Sequence, residues 1–346
     1  MRIKKVYAIL AAVAFLCVAD MGWAEQLPKQ NSPHTSGVGT QELPLEGSFV
    51  INKEGYSLHE VAVLDWGNKP DQVSIAQEGE YKAGPQNFVV DGSGNAFFDD
   101  FARKQIVRIS SSGAISFIEG IEYVAGIFPD GRIFSGKGFI YDQKGKLLEK
   151  VRIPSTPEWN PKIIIRSDSI FILAGDRFRT LRLEDQRDKW GVRKAQFEEP
   201  VENLFPKLRH GRPSKFSKTL FAVSRSSDGW SIDSLDKKGK RTRYAKNNEE
   251  HLLSFYNQDA PNIIGDDDTG AIYSATGFEI KSSVFPKPGF IALQKHDHRG
   301  KLQLLIRAFS NWTGLEMKPM FDVDAKGDVY QLYSLEHGLR LVKWSR

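Results

Sequence analysis

An all-β fold, a β-propeller of six blades, is predicted by three features of this sequence. Past residue 45 the apolar stretches are short or alternating, bounded by Gly, Asp, Asn and Lys clusters, with hardly any helical periodicity. Those stretches recur as pairs of hairpins at intervals of roughly 40 residues, the repeat length of a propeller blade. Finally, N-terminal strands without partners of their own face a last unit that is one strand short, so the two ends of the chain can close a ring.

The chain opens on "MRIKKVYAILAAVAFLCVADMGWAEQ", in which Arg2, Lys4 and Lys5 precede an apolar run from Val6 to Ala19 and small residues flank Trp23. This pattern predicts a secretory signal peptide, residues 1–24, cleaved after Ala24. The run is short for a membrane span of about 20 residues, so the mature chain is expected to lack a transmembrane anchor. Residues 25–45, rich in Pro, Gly, Ser, Thr and Gln, read as a flexible lead-in. A single propeller domain is then expected over 46–346.

Within it, "FVVDGSGNAFF" (88–98), "GIFPDGRIFSG" (126–136), "IIIRSDSIFIL" (163–173), "IIGDDDTGAIYSA" (263–275) and "FDVDAKGDVYQLY" (321–333) each read as strand, tight turn, strand. A second hairpin follows each of them. A further copy at 219–245 has clear second and third strands and a weak first one. Asp91, Asp130 and Asp168 are spaced by 39 and 38 residues, and Asp324 lies 156 further on. That last interval holds three lengthened units or four ordinary ones. Six blades is the reading and seven the alternative, because loops at 199–214, 245–262 and 276–288 are lengthened by Pro, Gly and polar residues. Strands "HEVAVLDW" and "DQVSIAQ" precede the first complete unit, and one of them is expected to complete the last blade.

The 346 residues are 40% hydrophobic and 26% charged, values of a globular chain with a large core. The only cysteine, Cys17, lies in the segment to be removed, which excludes thiol catalysis, disulfides and cysteine-ligated metal from the mature protein. Loss of Arg2, Lys4, Lys5 and Asp20 lowers the formal charge from +5 to +3. The densest basic stretch, "DKKGKRTRYAK" at 236–246, reads as a solvated hairpin, and no nucleic-acid partner is expected. A periplasmic or secreted monomer is the expectation.

The stretch "GPQNFVVDGSGNAFFDDFARKQIVRISSSG" resembles an NHL-type repeat through Pro85, Phe88, Val89, Val90, Asp91, Gly94, Asn95, Phe97, Asp100, Ile106 and Gly113. Arg103 and Gln105 depart from the Asn and Arg usual there. The resemblance implies a six-bladed propeller over about residues 60–346, at the level of motif in one blade only, and no single function.

Asp91 recurs as Asp130, Asp168 and Asp324, always between the first and second strands of a unit, as a structural turn residue does and a ligand site need not, so Asp91, Gly94 and Asn95 read as turn formers. The run "GDDDTG" makes Asp266 and Asp268 candidates for a divalent cation such as calcium, although the spacing lacks the rest of an EF-hand loop. In "HDH", His296 and His298 would share one side of a strand, but their register matches an outer hairpin turn where exposure is expected. No Gly-x-Ser-x-Gly elbow or phosphate loop is present. No cofactor is favoured, a divalent cation being the alternative.

Function is assigned to the long loops that gather on one face: 155–161, 200–216, 246–261 and 309–319, with the insert 276–289. They carry the aromatic and Arg side chains of a recognition surface, and Trp159, Arg209, Arg212, Tyr256 and Trp312 are the candidate ligand-binding residues. His210 and His251 are the candidate catalytic residues. The favoured reading is a non-enzymatic binding or scaffold module for a protein or small-molecule ligand. The alternative is a metal-assisted lyase or lactonase acting at the channel mouth, since streptogramin lyases and lactonases of similar shape use loop His or carboxylates with a metal there.

Overall fold

The computed structural model describes residues 45–154, 163–166, 169–174, 177–200, 212–217, 219–226, 229–235, 241–246, 256–258, 262–280, 289–318 and 320–346. The expected signal peptide, residues 1–24, and all but the last residue of the expected lead-in, 25–45, lie outside them. Five antiparallel strand quartets follow in chain order, numbered I to V. Quartet I is Phe88–Val90, Ala96–Asp100, Gln105–Ile109 and Ile115–Glu119. Quartet II is Gly126–Ile127, Ile133–Phe134, Phe139–Tyr141 and Leu147–Arg152, and quartet III is Ile163–Arg166, Ser169–Ala174, Arg177–Arg187 and Arg193–Pro200. Quartet IV is Arg212–Pro213, Leu220–Ser226, Gly229–Leu235 and Arg241–Lys246, its first strand as short as the sequence suggests. Quartet V is Asn262–Asp266, Ile272–Ile280, Gly289–His296 and Leu302–Arg307.

The C-terminal strands Met320–Val323, Val329–Leu335 and Gly338–Ser345 gain a fourth from the N-terminus, Ser57–Asp65, which pairs antiparallel with Gly338–Ser345 to make quartet VI. Phe49–Asn52 adds to the outer edge of quartet V, and Tyr256–Gln258 pairs with the far end of Ile272–Ile280. Ala76–Glu78 and Tyr81–Ala83 form a separate ribbon.

One pairing has no precursor in the hydrophobic pattern. The outer strands of quartets II and III run parallel, Val151 beside Arg193 and Arg152 beside Lys194, and join the two into one eight-stranded sheet. Complementary charge accompanies the contact: Glu149 lies 2.6 Å from Arg187 and 3.5 Å from Arg193, and Arg152 lies 2.6 Å from Asp188.

Alternation sends the apolar residues of each quartet to both faces, and the faces stack on their neighbours. Phe98 and Val107 of quartet I meet Leu332 and Leu341 of quartet VI, while Phe97 and Ile106 meet Ile127 and Ile133 of quartet II. Phe134 and Ile140 meet Ile165 and Ile172 of quartet III, Phe221 and Ile232 of quartet IV meet Ile263 and Ile272 of quartet V, and Tyr273 and Leu304 of quartet V meet Val329 and Trp344 of quartet VI. Sheets stacked face to face at these five seams, with the first strands innermost, make a propeller-like all-β arrangement.

The recurrent aspartates close turns, except Asp130: there Phe128 takes the place of Asp91, its N–H donating to the Arg132 carbonyl, and Asp130 sits inside the turn. Asp91 Oδ1 accepts the N–H groups of Ser93 and Asn95, both at 2.9 Å, and Asp142, Asp188, Asp267, Asp297 and Asp324 repeat the pattern with the residues two and four further on. A glycine at positive φ completes each such turn; Gly327, at φ 86°, is the most constrained, since a Cβ there would lie 2.3 Å from the Tyr273 hydroxyl oxygen. Asp168 lies outside the described residues. Asp99, eight residues after Asp91, does other work. Fully buried, it accepts the N–H groups of Gln86 and Asn87 at 2.8 and 2.9 Å and so fixes the start of the first strand.

Candidate functional site: the central cavity

A cavity of about 590 Å³ is lined by residues from the start of every quartet, 86–89, 124–127, 163–165, 212 and 215, 262 and 264, and 318 with 320–322. Its wall is chemically divided. Quartets II and III contribute only Val, Ala, Gly and Ile at 124–127 and 163–165. The facing wall carries Arg212, Lys215, Lys318 and Asp322, with Asn262, Gln86 and Asn87 beside them. Gln86, Asn262 and Lys318 are exposed, whereas Asp322 is buried.

Lys215 holds the buried part together. Leaving quartet IV just after its short first strand, it donates through Nζ to the Val90 carbonyl, to Asp322 Oδ2 at 3.2 Å and to the Val323 carbonyl at 3.4 Å. Asp322 Oδ2 also accepts the Val90 N–H at 2.7 Å. Asp266 accepts from the Ser214 hydroxyl and from the Lys215 N–H, the latter at 2.8 Å. Both carboxylates are thereby spent on neighbouring first strands. Burial raises the Asp266 carboxyl above its ordinary value, opposed by the Ser214 and Lys215 donors and by Arg212.

Arg212 donates to the Ile263 carbonyl and has no ion pair among the described residues. Desolvation lowers its affinity for the proton, with Asp322 and Asp266 acting against that fall; a guanidinium titrates so far above neutrality that it stays charged. Lys318 has no hydrogen bond or ion pair among the described residues.

Of the candidate residues, Arg212 reaches this cavity. Trp312 does not: its N–H donates to the Ser334 carbonyl at 3.0 Å and its half-buried ring packs on the core shared by quartets I and VI. Asp266 is engaged as described, and the exposed Asp268 donates its N–H to the Ala325 carbonyl at 3.1 Å. Trp159, Arg209, His210 and His251 lie outside the described residues, and of Tyr256 only the strand pairing with Ile280 is described. Among the described residues no three His, Cys, Asp or Glu side chains gather as a metal-holding group, and no helix is long and apolar enough to cross a membrane. Lys215, Lys318 and Asp322 were not anticipated. The available signal was charge interrupting first strands that are elsewhere Val and Ile, as in "RPSKF" and "MFDV".

His296 corrects an expectation. It ends the strand Gly289–His296, paired with Ile272, and is buried rather than exposed, its Nδ1 without a partner among the described residues. His298, on the turn, is exposed. The register does match, Asp297 closing its turn as Asp142 does, but His296 then stands where Tyr141 does, as the last residue of the strand rather than on the turn. Burial depresses His296 to about 4, below its ordinary 6.5, so the unfolded chain binds the extra proton between those values. Stability is therefore complete above pH 6.5 and lost as pH falls toward 4, by about 3 kcal/mol from this residue. Urea titrations of wild type and His296→Phe are expected to diverge over that window, the wild type losing more; parallel profiles would contradict the assignment.

No protein-family model matches the chain, and no curated protein matches it. Among solved structures it is similar to a streptogramin B lyase, 15% identical over 84% of this chain and 98% of that one, with a TM-score of 0.40. A gluconolactonase from Xanthomonas campestris is 12% identical over 91% and 99% of the two chains at 0.42, and a member of the DUF4221 family from Bacteroides vulgatus is 12% identical over 85% and 99% at 0.48. The lyase and the gluconolactonase are β-propeller-like proteins. At these identities and scores neither activity nor site residues carry over, and the cavity is described from this chain's own side chains.

Proposed function

We propose that this chain is an exported, monomeric, six-bladed propeller of NHL-like type that acts as a non-enzymatic binding module, taking its ligand at the central cavity and the loops above it. One observation carries the reading: the first strands of all six quartets line a single cavity whose volume falls within the roughly 300–1,000 Å³ of small-molecule sites. The six-blade count is supported by that lining and by face-to-face stacking at five seams, with the parallel II–III pairing as a local joining of two blades. Export is supported by the N-terminal pattern alone.

Saturation-transfer NMR of residues 25–346 against a mixed fragment set is expected to find binders that Asn262→Trp removes, because the exposed Asn262 lines the cavity and an indole there would fill it. The thermal melt of the unliganded variant should match wild type. Binders that survive the substitution would place the site elsewhere. A divalent ion bound in one-to-one ratio, whose removal by a chelator lowers the melt, would favour the metal-assisted lyase or lactonase with His210 and His251 at the mouth.

A further inference from the structure

We propose that the ligand is an amphipathic organic anion, its carboxylate or phosphate on Arg212 and Lys318 and its apolar body against quartets II and III. The inference rests on the central cavity being the binding site. Cations at the cavity wall outnumber carboxylates, Arg212, Lys215 and Lys318 against Asp322. Lys215 is committed to Asp322 and to the Val90 and Val323 carbonyls, so its charge is answered within the protein. Asp266, the other carboxylate near Arg212, is held by Ser214 and the Lys215 N–H and does not line the cavity.

Arg212 and Lys318 remain. Arg212 spends one donor on a carbonyl, which orients the guanidinium and leaves other N–H groups for an anion; a guanidinium fork suits the two oxygens of a carboxylate or phosphate. Arg212 is half-buried and has no ion pair among the described residues, so Asp322 and Asp266 offset its desolvation only from a distance, and a bound anion would do so directly. Lys318, exposed at the start of the sixth first strand, adds a second charge that draws anions inward.

The opposite wall fits an apolar body. Ala125, Ile127, Ile163 and Ile165 bring no charge and no side-chain hydrogen-bonding group to it. A free inorganic ion would leave that wall without a partner, and a neutral apolar ligand would leave Arg212 uncompensated. The two walls together select an anion with a hydrophobic tail or ring.

Isothermal titration of residues 25–346 tests this with matched probes: octanoate and phenyl phosphate as anions, octylammonium and 1-octanol as charge controls. Octanoate, phenyl phosphate or both are expected to bind, the stronger of the two identifying the headgroup, and octylammonium is not. Arg212→Gln should weaken anion binding about tenfold or more, and Lys318→Gln, at an exposed position where folding is not at stake, by about threefold to tenfold. Arg212→Lys, which keeps the charge, should recover part of the loss and guards against a folding defect. Binding of 1-octanol or octylammonium as tight as octanoate, removed by Asn262→Trp, would overturn the anion assignment while keeping the cavity as the site. Anion binding indifferent to Arg212 and Lys318 would overturn it too. Failure of every probe would overturn both the anion and the cavity.

Discussion

Deleting residues 45–66 is expected to abolish the folded state of the remaining chain. That segment supplies Ser57–Asp65 to the edge of Gly338–Ser345 and Phe49–Asn52 to the edge of Leu302–Arg307. Without it two strands present open edges, and the cores lose Tyr56, Ala62 and Leu64, each less than one-tenth exposed. A buried polar knot also comes apart. Lys295 Nζ lies 2.6 Å from Glu54 Oε2 and 3.1 Å from the Tyr56 hydroxyl, which itself donates to the Gly327 carbonyl at 2.9 Å. With both residues gone, Lys295, almost wholly buried, keeps only Asp267 at 3.8 Å among described carboxylates. Stranding a buried charge costs about 3–5 kcal/mol, and each large apolar side chain lost adds about 1.5–3 kcal/mol. For the charge with Tyr56 and Leu64 the sum is about 6–11 kcal/mol, comparable to the stability of a typical domain, about 5–15 kcal/mol. Residues 67–346 should show no cooperative melt and should aggregate, while a peptide of residues 45–66 added during refolding should restore a soluble monomer. A truncated chain that melts like wild type would show that the N-terminal strands do not close the structure.

The second large effect is expected at Lys215. Replacing it by Met keeps much of the aliphatic stem and removes the ammonium that joins quartet IV to the first strands of quartets I and VI. Asp322, its side chain only 11% exposed, would keep the Val90 N–H but lose its counter-charge. The loss is expected to be about 3–5 kcal/mol, read as a lowered urea midpoint with an unchanged slope. Lys215→Met with Asp322→Asn should recover part of it, because the stranded carboxylate is then gone. If the single variant changes the midpoint by no more than a surface lysine would, Lys215 is not the staple of the inner strands.

Much of this architecture is legible in the sequence because it is local. Hairpin spacing, the Asp and Gly of the turns, and the alternation of Phe97, Phe98, Ile106 and Val107 are all set by a few neighbouring residues. The parallel seam between quartets II and III is not local. It joins strands about 40 residues apart through Glu149, Arg152, Arg187, Asp188 and Arg193, charged residues that read as ordinary surface. The cavity is legible only in part. Arg212 stands out as an arginine on a long loop, but the meaning of Lys215 depends on Val90 and Asp322, more than 100 residues away in either direction. Trp312 shows the reverse case: an aromatic in a polar loop suggests recognition, and here its ring packs on the core beside Ser334.

A crystal structure of residues 25–346 grown with octanoate would test most directly that the central cavity is a site for amphipathic anions. The expected result is six four-stranded blades around one axis, with the carboxylate within hydrogen-bonding distance of Arg212 and the alkyl chain along Ile127 and Ile165. A cavity empty at saturating octanoate and equally at saturating phenyl phosphate, or either anion bound away from Arg212, would contradict it.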